Sequence, residues 1–410
     1  TSGNVKEYQS KNSYKFKKKW EAVLQSIPAG LSPNHLANRF HSHRKRILFI
    51  DEFLPEPDTN SGSRRIFELI KIFKNQDYHV LFLANDGKKK EPYFSNLINM
   101  GVQLLYSEFE WKKAIPELQS IVKDLNIAWI SRPELNELYA PYIKENRLVT
   151  WVYDTVDLHF IREERRLSVL DDVPKQLLEE IDVIKNQEIQ LAREADITIA
   201  ITNDEAEVLK KEGAKNVTTI PNIHIPQPDR LMDLKRRNGI LFIGGYYHEP
   251  NVDAVFWLVK EIMPIVWSKF PDVQVTLLGS NPTSEMMALI SDRVNVTGYV
   301  EDVTDYFLSA RLFIAPLRYG AGMKGKVGQS LEYGLPVITT TIGAEGMMLT
   351  HEHDVLIGDT KELLAKEIIR LYHDDELWMS MSLNSRAAIQ QYSPEKISQQ
   401  LLEIFNKKHQ

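Results

Sequence analysis

RLFIAPLRYGAGMKGKVGQSLEYGLPVITTT, residues 311–341, runs from an apolar stretch through a glycine-rich basic loop and a helical stretch into a second apolar run. RLFIAPL (311–317) and PVITTT (336–341) have the near-continuous apolarity of strands covered on both faces, and VGQSLEYG between them reads as a helix. Strand, helix and strand in that order predict a parallel βαβ unit. In the loop, Gly320, Gly322 and Gly325 let backbone amides approach an anion, the helix N-terminus adds partial positive charge, and Arg318, Lys324 and Lys326 add full charges. From Gly320 the loop spells Gly-x4-Gly-Lys, most of a triphosphatase phosphate loop. Val327, however, stands where a magnesium-binding Ser or Thr would follow, and the loop lies deep in the chain. Three cations without that hydroxyl suit a diphosphate that departs as a leaving group, with its developing charge stabilised without a metal.

The same alternation extends outward. Candidate strands in the second half are GILFIGG (239–245), VQVTLLG (273–279) and VNVTGY (294–299). Those in the first half are RILFID (46–51), HVLFLA (79–84), VQLLY (102–106), IAWIS (127–131), LVTWVYD (148–154), DITIAI (196–201) and VTTI (217–220). The proline-bearing polar run PNIHIPQPDRLMDLKRRN (221–238) interrupts the pattern and reads as a linker. The fold class is therefore α/β: two doubly wound, Rossmann-like domains whose strand C-terminal ends face one central cleft, where ligands of open α/β sheets bind. The expected division is a basic helical arm and linker (1–45), a first Rossmann-like domain (46–222), a second (223–392), and a terminal helix (393–410) that packs back on the first domain. Further helices are expected at about 360–373 and 375–391, and Ser393-Pro394 is a cap and first-turn pair.

At 410 residues, 43% hydrophobic and 26% charged, the chain has the composition of a globular protein of two domains. It contains no cysteine, so disulfides and thiolate metal sites are excluded. The net charge of −6 argues against a nucleic-acid partner. No apolar run approaches the roughly 20 residues of a membrane span. Residues 1–46 hold ten Lys/Arg against two Asp/Glu, an arm that could touch anionic lipid at the inner face of a membrane or be a solvated helix. The expected location is cytoplasmic.

In the first half, Asn60-Ser61-Gly62-Ser63 follows the first strand and opens a helix, so Ser61, Gly62 and Ser63 either expose amides to a ligand or form an N-cap and turn. Asp157 and His159 follow LVTWVYD. A histidine at such a strand end can face a reacting hydroxyl, and a neighbouring aspartate would set its tautomer and orientation. Asp157-x-His159 has no partner ligands at a metal-binding spacing, so no metal is expected. The run Arg162-Glu163-Glu164-Arg165-Arg166 reads as a solvated face, and His248-Glu249-Pro250-Asn251 as a helix entry.

These residues carry a resemblance. FIGGYYHEPNVDAVFWLVKEIMPIV (242–266), FPDVQVTLLGSNP (270–282), VNVTGYVEDV (294–303) and APLRYGAGMKGKVGQSLEYGLPVITTTIGAEGM (315–347) resemble, in order, the second domain of GT-B glycosyltransferases of family 4. ILFIDEFLPEPDTNSGSRR (47–65) and WVYDTVDLHFIREERR (151–166) resemble the first domain more loosely. The resemblance implies a nucleoside-diphosphate sugar as donor, a glycan or glycolipid acceptor, retention of anomeric configuration, and neither metal nor cofactor. It also implies that Tyr299 and Val300 seat the base, that Glu345 and Gly346 lie near the donor sugar, and that His159 lines the reaction centre. The family's paired glutamates are replaced: Ala321 stands at the first position and Gln329, which can still bond ribose hydroxyls, at the second, with Glu332 one turn on as a substitute. The family's basic pair after the first strand of this domain is also absent, which leaves the phosphate charge to Arg318, Lys324 and Lys326.

The expected function is transfer of a sugar to a hydroxyl of a growing bacterial surface glycan, by an enzyme of the hexosyl- or deoxyhexosyltransferase class. A sugar-nucleotide epimerase and a catalytically silent binding module of a larger transferase are the alternatives, the latter because of Ala321 and Gln329. The arm KNSYKFKKKWEAVLQ (11–25) resembles the tail of GT-A family 2 glycosyltransferases, which would make this chain a piece fused to a second transferase domain.

Overall fold

The apolar runs form two sheets in which every strand pair is parallel. The structure is a computed structural model of the chain and describes residues 12–15, 18–19, 44–105, 114–167, 173–227 and 234–406. The calls on the amino-terminal arm fall almost wholly outside the described residues; within 1–45 only 12–15 and 18–19, which are helical, and 44–45 are described.

The first sheet comprises β1 (Arg46–Asp51), β2 (His79–Ala84), β3 (Gln103–Leu105), β4 (Ile127–Ser131), β5 (Thr150–Asp154), β6 (Ile197–Ala200) and β7 (Val217–Thr219), ordered β3-β2-β1-β4-β5-β6-β7. The second comprises β8 (Ile240–Ile243), β9 (Val275–Leu278), β10 (Val294–Gly298), β11 (Leu312–Ala315), β12 (Val337–Thr339) and β13 (Leu356–Ile357), ordered β10-β9-β8-β11-β12-β13. Each sheet is doubly wound, and its strand order reverses beside its first strand, between β1 and β4 and between β8 and β11. Crevices at such switch points are where open α/β sheets bind ligands.

Strands buried on both faces explain the unbroken apolar runs: β1, β2 and β4 are buried at every residue. Two apolar clusters cover the faces of the first sheet and one larger cluster fills the second domain. The last helix, Pro394–Asn406, buries Ile397, Leu401 and Phe405 against Phe73 and Trp129 of the first sheet's core.

Three local expectations differ from the structure. PVITTT leaves the sheet at Thr339, because Thr340 turns its hydroxyl onto the Gly343 amide (3.0 Å) and caps a short helix, Thr341–Ala344. The two-residue β13 was not predicted; it is too short to show a period. The stretch read as a polar linker is buried at its start: Pro221, Asn222, Ile223 and His224 are all enclosed. The His224 amide donates to Tyr392 O (2.9 Å), which ties this crossover to the chain's second passage between the domains.

Candidate active site

A cavity of about 850 Å³ lies between the sheets, lined by loops that leave β1, β4 and β5 on one side and β8 to β11 on the other. It therefore sits at both switch points.

On the second-domain wall, the glycine loop leads into the Gly325–Glu332 helix, with Lys324 as its N-cap residue. Lys324 Nζ donates to Ala321 O (2.8 Å) and Gly322 O (2.5 Å), and lies 3.7 Å from the Glu345 carboxylate. Lys326 Nζ donates to Asn251 Oδ1. Burial lowers Lys324 to about 8, partly offset by Glu345 and Glu205. Burial, with Lys324 adding repulsion, lowers Lys326 to about 7. Two neighbouring ammonium groups short of counter-charge, at a helix N-terminus, make a site that an anion would complete. Gly322, Gln329, Tyr299 and Val300 also line this wall, and the side-chain amide of Gln329 has no hydrogen-bond partner among the described residues.

The first-domain wall starts at Asn60, whose side chain accepts from the Ser63 amide (2.8 Å) and caps the Ser61–Asn75 helix. The Ser63 amide is thus engaged by the cap, while Ser61, Gly62 and Ser63 all line the cavity. Ser61 lies so close to the glycine loop that a Cβ on Gly325 would fall 2.4 Å from its own. Beyond β5, Val156 holds a left-handed backbone (φ 65°), a costly conformation for a β-branched residue, and presents Asp157 and His159. Asp157 Oδ2 accepts from Arg162 (2.6 Å), and Oδ1 lies 3.4 Å from His159 Nε2. Burial opposes ionisation of Asp157, but His159, Arg162 and Arg132 hold its carboxyl well below the usual range. Burial likewise opposes charge on His159, but the Asp157 bond and charge outweigh it and raise its pKa. The Asp157 carboxylate therefore favours the charged, hydrogen-bond-donating form of His159 and fixes its ring.

Several expectations need correcting. Arg318 lies outside the cavity lining, because its guanidinium is engaged by both carboxylate oxygens of Asp253. Glu332 cannot stand in for Gln329: it is buried and bound to His224 Nδ1 (2.6 Å) and Arg64 Nη2 (2.9 Å). The charge run is not a solvated face. Arg165 grips Glu345 through two bonds (2.6 and 2.7 Å) and donates to Gly320 O (2.8 Å), and Arg166 reaches Glu249 (2.8 Å). Glu345 is accordingly held by Arg165 beside the cavity, and Gly346 packs against Thr202.

Arg132 carries no reading in the sequence, and His248 and Asn251 were read only as a helix entry, which they form; all three line the cavity. Arg132 adopts φ 67°, ψ 148°, a region nearly confined to glycine, and its Nε donates to Asp51 (3.0 Å). Its one sequence signal was its place immediately after the apolar strand IAWIS.

Residues 237–374 match the family model described as glycosyl transferases group 1. The chain is 27% identical over 212 residues to an uncharacterized 44.6 kDa protein of the cps region of Klebsiella pneumoniae, covering 49% of this chain and 54% of that one. It is 25% identical over 197 residues to an uncharacterized glycosyltransferase of Haemophilus influenzae, covering 46% and 54%. The chain spans about half the length of the curated relatives it matches. Among solved structures, the sucrose-phosphate synthase of Thermosynechococcus elongatus superposes with TM-score 0.64 at 15% identity, over 89% of this chain and 99% of that one. HepE of Anabaena, solved in complex with UDP-glucose, superposes with TM-score 0.65 at 15% identity, over 88% and 99%. Over both sheets the chain thus has the two-domain GT-B fold, and its second domain carries the match to the glycosyl transferases group 1.

Proposed function

We propose that this chain is a retaining, metal-independent glycosyltransferase that moves a sugar from a nucleoside-diphosphate donor to a hydroxyl of a growing bacterial surface glycan. The observation that carries the reading is the pairing of Lys324 and Lys326 at a helix N-terminus with the Asp157–His159 turn on the opposite wall of one cavity. The family match of residues 237–374, the cps-region relative and the UDP-glucose complex of a structural neighbour support it.

In this reading the anomeric carbon–phosphate oxygen bond breaks, the nucleoside diphosphate leaves with the electron pair, and the acceptor oxygen bonds the anomeric carbon on the same face while its proton passes to the departing phosphate. Lys324, Lys326 and the helix amides take up the developing charge without a metal. The base lies toward Tyr299 and Val300, with Gln329 toward the ribose. The acceptor hydroxyl enters from the first-domain side, near Ser61 and Gly62, and His159 donates a hydrogen bond that orients the sugar. Asp157 favours the charged form of that imidazole and holds it in place. The basic arm would let the enzyme work at the inner face of a membrane, and the activity belongs to the hexosyl- or deoxyhexosyltransferase class.

The test is a panel of nucleotide sugars in thermal shift, followed by nucleotide release with and without glycan acceptors and EDTA. A true donor at 100 times its dissociation constant stabilises by about 2.7 kcal/mol. Acceptor-dependent release that survives EDTA is expected. Binding without release across the panel would replace this reading with the silent binding module that Ala321 and Gln329 suggest.

A further inference from the structure

The His159–Leu167 helix begins inside the cavity wall, and its first amides need partners there. They find them on a different element. Glu188, on the Lys175–Glu194 helix and fully buried, accepts from the His159 amide with Oε1 (2.9 Å) and from the Phe160 amide with Oε2 (3.0 Å). One residue earlier, Glu205 of the Asn203–Lys211 helix accepts from the Leu158 amide (3.3 Å). Three consecutive amides at the His159 turn are therefore held by carboxylates from outside it.

We infer that Glu188 is a positioning residue for the active site, fixing the backbone of His159 by a grip that uses both carboxylate oxygens. The inference rests on the glycosyltransferase reading for its kinetic meaning. Its physical basis is the bond pattern. An ionised carboxylate can accept on both oxygens, whereas protonation turns one of them into a hydroxyl and loosens one of the two amides. The grip is thus a charge-dependent contact, stronger than a neutral one while it lasts.

The surroundings place the loss of that charge near neutrality. Burial raises Glu188 to about 7, opposed by the His159 charge and by the two amides and reinforced by Asp157. From β5 the buried Tyr153 also faces it, and its hydroxyl has no partner among the described residues. From the neighbouring helix, Glu205 faces the same turn and is raised to about 7, first by burial and then by Asp157. As pH falls through about 7, Glu188 takes up a proton and one of the two amides of the His159 turn is loosened.

The test is Glu188→Gln, which preserves shape but leaves only one acceptor oxygen. Turnover of the donor should fall about 10²-fold, the usual consequence of misplacing a reacting group by an ångström. Affinity for the nucleoside diphosphate alone should stay within twofold, because the opposite wall holds it. The acid limb of the wild-type kcat profile should be absent from the variant. Wild-type kcat with the limb intact, or a loss explained by a lowered Tm, overturns the inference. If Glu188→Gln does not fold, Glu188→Asp decides: it keeps the charge and should keep the acid limb at reduced kcat, and a limb absent there overturns the inference. If the wild type itself turns over no donor, the glycosyltransferase reading fails separately. The imidazole titration of His159 by NMR then judges Glu188: a lower titration pH in Glu188→Gln supports the grip, and an unchanged one overturns it.

Discussion

Lys324 and Lys326 are incompletely balanced charges, and that makes the site's anion preference measurable through protons. In the free protein both ammonium groups are weakened by burial, to about 8 and about 7. A diphosphate between them favours the charged forms, so binding raises both values and takes up protons wherever the free groups are neutral. Uptake of about one proton is expected at pH 8, fading as pH falls toward 6, where both are already charged. Titration calorimetry of UDP in two buffers of different ionisation enthalpy reads it directly, and Lys326→Met should remove most of it; buffer-independent heats at pH 8 would reject the lysines as the phosphate site. Glu205 presents the opposite case. Its pKa is raised to about 7 by burial, so the native state prefers it protonated. The favourable contribution is complete below the unfolded value near 4.5 and is lost as pH rises through about 7. Glu205→Gln should therefore raise stability at pH 8, on the order of 2 kcal/mol, and change it little at pH 5. Equal effects on chemical denaturation at the two pH values would contradict that.

The His159–Leu167 helix joins the two walls of the cavity, with His159 at its start and Arg165 on the glycine loop near its end. Arg165 is bound to Glu345 and Gly320 O, so it ties the His159 helix of the first domain to the glycine loop of the second. Removing it should loosen the cleft. Arg165→Ala is expected to increase the radius of gyration in solution scattering and to speed proteolysis within 318–326, without lowering the Tm of either domain core; unchanged scattering and cleavage would mean the pair is incidental. This element also shows what could be read beforehand. The glycine loop was legible because its glycines, cations and helix start lie within about ten residues, and the sheets were legible because strands buried on both faces write their burial into local composition. The charge run was misread because Glu345 and Glu249 are distant in sequence, so the run carried only local period and polarity. Arg318 and Glu332 were misassigned for the same reason: residue type and spacing marked them as available, while Asp253, His224 and Arg64 had already engaged them.

At the scale of the whole molecule, the chain passes between the domains twice, and both passages are buried where they meet at His224 and Tyr392. After the second passage, the Pro394–Asn406 helix belongs to the first domain's core rather than the second's. Its Phe405 ring lies 5.9 Å from Phe73 and 6.4 Å from Trp129, and Leu401 and Ile397 are fully buried beside them. The last helix therefore stabilises the domain that the chain built first, across more than 300 residues of sequence. Phe405→Ala should cost about 3–5 kcal/mol, as for large-to-small changes in other packed cores. The cost should fall on one domain: hydrogen exchange should accelerate in β1, β4 and the Ser61–Asn75 helix, which share this cluster, and stay near wild type in β8, β11 and β12. Two-step thermal unfolding with only the earlier step displaced is the calorimetric counterpart. Under the proposed function, nucleotide binding by the second domain should persist under native conditions, whereas transfer, assigned there to His159 and the opposite wall in register, should fall with the first domain's stability. Acceleration spread evenly over both sheets would mean the domains unfold as one unit and that this helix supports the assembly as a whole.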